Sequence, residues 1–161
     1  MINSNLTNLS MENQTDFEIL TEECMKFWFN DQGHIRSPFP SHIHAPLRDL
    51  AKKAFQLWVD QNAAETDLDN ENNALKFEEI LFELAFTLVK TDDEKISLRY
   101  PFLPRIHDPL EIKKLIEGKE TVETHPIIDR KIIEEEDASF LEVSLLNKEN
   151  QIWKTRFPLP D

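Results

Sequence analysis

With 161 residues, 40% apolar and 30% charged, the chain is long enough to bury a core without a disulfide or metal staple. Its net charge of −13 includes no strongly basic stretch; this excludes nucleic acid, which is bound by lysine and arginine displacing counterions from phosphates, and disfavours anionic membranes. Cys24 is the only cysteine, so no intrachain disulfide forms, and a reducing compartment, the cytoplasm, is the expected location.

Residues 1–14 are polar and Asn-rich and read as a mobile tail ahead of a single α+β domain over residues 15–161. Thr15-Asp16-Phe17-Glu18 has the spacing of a capping box, and Phe17, Leu20, Cys24, Phe27 and Trp28 then share one helical face. That first helix is expected to end near Asn30, with Gly33 available for a left-handed turn. Ile19 and Phe29 fall off its apolar face. After a Pro-rich connection, a second helix opens at Pro46, with an apolar stripe of Leu47, Leu50, Ala51, Ala54, Leu57 and Trp58. A third helix, Ala74 to Lys90, is apolar around most of its circumference; such a helix is packed from more than one side, so it is the expected centre of the fold.

Beyond Asp92-Asp93 the period changes. Ile96, Leu98 and Tyr100 alternate with Lys95, Ser97 and Arg99, which predicts a half-buried strand ended by Pro101. Asp108-Pro109 reads as the cap of a short helix running to Glu117, with Gly118 as its stop. Ile127 to Ile133 and Phe140 to Leu146 read as strands around the acidic run Glu134 to Asp137. Asn147 to Asn150 then turns the chain back into a hairpin partner, Gln151 to Phe157. The expected architecture is α+β: a three-helix N-terminal half around the central apolar helix, then a short helix and a mostly antiparallel sheet ending in a β-hairpin.

Only two glycines occur, Gly33 and Gly118. Loops that cradle phosphates need closely spaced glycines so that backbone amides can approach the ligand, so the Walker-type loop, the dinucleotide fingerprint and the Gly-x-Ser-x-Gly elbow are all absent. Cys24 lies on an apolar helical stripe beside Glu22 and Glu23, which raise a thiol pKa, and it reads as core rather than nucleophile. Asp67 to Glu78 resembles a calcium-binding EF-hand loop, with acidic groups at Asp67, Asp69 and Glu71 and Glu78 at the twelfth position. It departs from that pattern at Asn72, where the sharp turn calls for glycine, and at Ala74, so it reads as a solvated connection. His107-Asp108 resembles the paired ligands of the HD phosphohydrolases, but Pro109 makes Asp108 a cap and removes that geometry. Glu79 and Glu83 share a helical face and read as a solvated stripe.

No catalytic motif remains, no cofactor is expected, and residues 65–94 hold −8 of the −13 net charge. The expected function is therefore a non-catalytic acidic protein-binding protein (adaptor, assembly factor or toxin-neutralising partner) that recognises a basic protein surface. Its candidate partner-binding residues are Asp67, Asp69, Glu71, Glu134, Glu135, Glu136 and Asp137. An alternative site lies in the connection between the first two helices: His34, Arg36, Phe39, His42 and His44. There, with a carboxylate such as Glu79 or Glu83, the imidazoles would serve a small metal-dependent enzyme or metal-binding protein, although their spacing selects no metal.

Overall fold

The computed structural model describes residues 14–62 and 70–160, and the chain divides into two units at Phe102/Leu103. The first unit holds α1 (Gln14–Trp28), α2 (His44–Gln61), α3 (Asn70–Leu88) and α4 (Asp92–Arg99). The second holds β1 (Pro109–Ile116), β2 (Lys119–Glu134), β3 (Ser139–Leu146) and β4 (Ile152–Pro158), joined as one antiparallel meander. Helices followed by an antiparallel sheet make this the expected α+β class. Among the described residues, no helix is long and apolar enough to cross a membrane.

α3 packs against both α1 and α2 and supplies Phe77, Ile80, Leu81 and Ala85 to the core, as its nearly all-round apolar surface predicts. α1 contributes Phe17, Leu20, Cys24 and Met25, with Thr15 inside the helix rather than at its cap. α2 contributes Leu47, Ala51 and Phe55. The stripe expected on α2 is therefore rotated: Leu50 and Leu57 are 42% and 58% exposed, whereas Phe55 is fully buried. Aromatic packing decides this rotation, because the Phe55 ring stacks on Phe17 at 5.6 Å and meets Phe77 edge-on at 5.2 Å. Glu22 and Glu18 of α1 hold Lys52 of α2 at 2.7 and 2.9 Å, and Glu22 also takes Arg48.

The strand expected over Ile96 to Tyr100 is instead α4. Thr91 caps it: its hydroxyl accepts from the Glu94 amide at 3.1 Å, and the Glu94 carboxylate accepts from the Thr91 amide at 3.0 Å. Asp92, Asp93 and Glu94 place negative charge in its first turn, and Ile96, Ser97 and Leu98 are buried in succession, which a strand with one solvated face cannot do. Burial opposes ionisation of Glu94, but the His42 hydrogen bond, the Lys90 and Thr91 amides and the Thr91 hydroxyl outweigh it and pull the carboxyl from the ordinary 4.5 to about 2. Its contribution is therefore complete above pH 4.5 and fades as pH falls toward 2. Glu94→Gln is expected to cost about 1–2 kcal/mol at neutral pH, after discounting for solvent screening, and to flatten the acid limb between those values. Acid titrations of helical circular dichroism for both proteins check this; superimposable curves would contradict it.

The short helix expected from Asp108 to Glu117 is likewise replaced, by β1. Leu110 and Ile112 alternate with Glu111 and Lys113 in inward and outward order, and Glu117-Gly118 forms a two-residue hairpin loop between Ile116 and its partner Lys119. Glu117 and Gly118 both have positive φ, 52° and 76°, as a type I′ turn requires, so Gly118 turns a hairpin rather than stopping a helix. β2 runs eight residues further towards the N-terminus than expected and pairs twice, its first half with β1 and its second with β3. Between the halves, pairing steps from Ile127↔Leu145 to Asp129↔Ser144, leaving Ile128 as an extra residue on β2. Such a bulge bends its strand and increases local twist, which curls the sheet. The expected Asn147 to Asn150 turn is present: the buried Asn147 side-chain oxygen accepts from the amides of Glu149 and Gln151 at 3.0 and 2.8 Å. Leu141, Val143 and Leu145 of β3 form the buried face of the sheet with Ile127.

Candidate functional site

The curl brings the two outer strands of the second unit to opposite sides of a groove of about 600 Å³. Leu110 and Ile112 of β1, Leu145 of β3, and Ile152, Trp153 and Phe157 of β4 supply its apolar lining. Lys114 of β1 spans to β4, its Nζ 3.9 Å from the centre of the Trp153 ring. Three further contacts join this wall. Glu123 of β2 lies 3.3 Å from Lys114 and 3.1 Å from the buried imidazole of His125, whose ring meets Trp153 edge-on at 6.3 Å. The His125 hydrogen bond, aided by Lys114, holds the Glu123 carboxyl below the usual carboxylate range despite desolvation. This cluster is one carboxylate satisfied by two nitrogen donors.

On the opposite face of the sheet, Glu142 sits among Lys131, Lys154 and Arg156 at 3.6, 3.8 and 3.2 Å. Desolvation works against its charge, but the Arg156 hydrogen bond and the two lysine charges prevail and keep its pKa low. Arg156 also holds Glu135 at 2.8 Å.

The candidate residues are dispersed. Asp67 and Asp69 lie outside the described residues, as do residues 1–13 of the expected tail, while Glu71 is exposed in the first turn of α3. Asn70 through Glu78 are helical, so the described part of the EF-hand-like segment runs along a helix instead of wrapping an ion. Glu134, Glu135, Glu136 and Asp137 are all exposed at the turn between β2 and β3, which the Glu135 amide closes on the Ala138 carbonyl at 2.9 Å. His107-Asp108 lies in the turn before β1, outside any helix: the Asp108 carboxylate accepts from the Arg105 amide at 2.8 Å.

The residues of the alternative loop site serve the helical core in different ways. Phe39 is buried against Trp28 and Phe82, and the His44 ring stacks on Phe29 at 4.4 Å while its Nε2 meets the Phe39 carbonyl at 2.8 Å. Phe29, off the apolar stripe of α1 in the sequence, is covered by this connection. His42 pairs with Glu94, His34 is exposed, and Arg36 is half-buried. Among the described residues, no three histidine, cysteine or carboxylate side chains are grouped to hold a metal ion. Burial pushes the Cys24 thiol up to about 12, with the charges of Glu78 and Glu23 adding to it, so it is no nucleophile.

Trp153, Lys114 and His125 were not legible as site residues, because the edge-to-edge approach that unites them depends on the bulge in β2. No protein-family model, curated protein or solved structure matches this chain.

Proposed function

We propose that the protein is a non-catalytic protein-binding protein that uses exposed carboxylates to recognise a basic protein surface. The observation that carries this reading is the turn between β2 and β3, where Glu134 to Asp137 are four consecutive exposed acids on a closed hairpin connection. Of these only Glu135 has a cation within ion-pair distance among the described residues, Arg156 at 2.8 Å. The exposed Glu71 and the acidic stretch over residues 65–94 add negative field to the rest of the chain. Concentrated like charges repel one another, and a basic partner relieves that cost while being steered toward contact.

The test is a pull-down from the native host followed by association kinetics over a salt series. Association is expected to slow steeply above about 0.15 M salt, where the Debye length is about 8 Å. The triple variant Glu134→Gln, Glu136→Gln, Asp137→Asn should slow it roughly tenfold while the melting curve stays unchanged, because none of the three side chains is buried. An acidic partner, or binding indifferent to salt and to the triple variant, would refute the reading.

A further inference from the structure

We propose that the groove between β1 and β4 takes an extended, acidic peptide segment of a partner protein as a fifth strand of the sheet. This surface is separate from the acidic turn and has the opposite charge preference.

The lining pattern carries the inference. A groove lying on the face of a strand is lined by every second residue, because successive side chains point to opposite faces. Here the lining runs through consecutive residues, 110–113 on β1 and 152–155 on β4. An opening that follows the strand edges meets both faces of both strands, and this one also reaches Leu145 on the inner strand β3. Those edges are the two ends of the strand order β1-β2-β3-β4, and among the described residues neither pairs with a further strand. They therefore present backbone N–H and C=O groups that an added strand satisfies. Pro109 starts β1 and Pro158 ends β4; because these strands run in opposite directions, both lie at the same end, and lacking N–H groups they bound the stretch that can pair there. A segment of about five residues, roughly 17 Å, matches it. In a four-strand antiparallel meander the outer strands run in opposite directions, so the added strand pairs parallel with one edge and antiparallel with the other.

The chemistry of the segment follows from the lining. Leu110, Ile112, Trp153 and Phe157 receive alternate apolar side chains. The rim holds Lys113 and Lys154 against the single carboxylate of Glu111. Lys113 and Lys154 are 71% and 57% exposed, and their nearest carboxylates, Glu120 and Glu142, stand at 3.8 Å, so both ammonium groups can turn toward an incoming acid. In a chain of net charge −13 this local positive rim selects an acidic segment. A second copy offering its own β1 edge would set Lys113 and Lys114 against the same lysines, and an apolar small molecule would leave the edge backbone unpaired.

The experiment titrates the full-length protein with an acetylated heptapeptide of alternating valine and aspartate and reads amide hydrogen exchange residue by residue. Controls are the same peptide with lysine for aspartate and one with proline at its centre. The aspartate peptide is expected to slow exchange along residues 110–113 and 152–155 at least tenfold and to bind at least tenfold more tightly than the lysine peptide. The proline peptide should give no protection. Lys113→Gln with Lys154→Gln should erase most of the charge preference; Lys113→Gln alone, at the more exposed position, serves if the double variant melts early. Four outcomes would overturn the proposal: no protection at millimolar peptide, equal binding of the lysine peptide, retained binding of the proline peptide, or concentration-dependent edge protection without peptide. The third would mark a side-chain pocket and the fourth a second copy of the chain.

Discussion

Phe55→Ala is expected to cost about 3–5 kcal/mol and to lower the urea midpoint by roughly 2 M, whereas Leu57→Ala, two positions along the same helix, should change stability by no more than about 0.5 kcal/mol. Phe55 is fully buried in contact with Phe17, Phe77 and the Trp58 ring, stacked at 5.9 Å. Truncation removes its transfer free energy and leaves a cavity walled by three aromatic rings, which cannot collapse onto the missing volume. Leu57 is 58% exposed, so an alanine there loses little contact. Equilibrium unfolding followed by helical circular dichroism discriminates the pair. Equal midpoints for the two variants would mean that α2 is rotated as the bare periodicity suggests, with Leu57 inside.

Leu141→Ala should be the most damaging single change in the second unit, at about 2–5 kcal/mol. Leu141 is fully buried on β3, an inner strand, opposite Ile132 of β2 and Phe157 of β4. Its loss therefore loosens both ladders that hold the meander. The comparison is Leu115→Ala near the β1–β2 loop, where the side chain is 79% exposed and the expected effect is near zero. Amide exchange along β3 reads the difference, because those amides open only when the sheet does. Unchanged protection of residues 141–145 in Leu141→Ala would contradict a core built on this strand.

Phe55 lies where periodicity alone misleads, and the same weakness explains why α4 and β1 differ from the elements expected there. Ile96, Leu98 and Tyr100 recur at the two-residue period of a strand, but over so short a segment period is a weak signal, and α4 buries Ile96, Ser97 and Leu98 on more than one side. The informative signal was Thr91-Asp92-Asp93-Glu94, a capping box with three acids in the first turn, which states the local chemistry of a helix start. Glu117-Gly118 was ambiguous in the opposite way. Glycine after a run of mixed residues suits a helix stop and a hairpin equally; the alternation of Leu110 and Ile112 with Glu111 and Lys113 favours the hairpin.

What the amino-acid order determined alone was the class of the fold, the central place of α3, the strands from Ile127 onward and the burial of Cys24. Each rests on local chemistry: long apolar runs, turn residues and short-range spacing. What only the tertiary structure decided was the rotation of α2, the folding of the His/Pro connection onto Phe29, and the groove between β1 and β4. These depend on contacts between distant residues, such as Lys114 with Trp153 and Phe55 with Phe17, and on one extra residue at Ile128 that bends a strand. Side-chain packing and strand curvature are set by which surfaces meet, and no window of neighbouring residues contains that information.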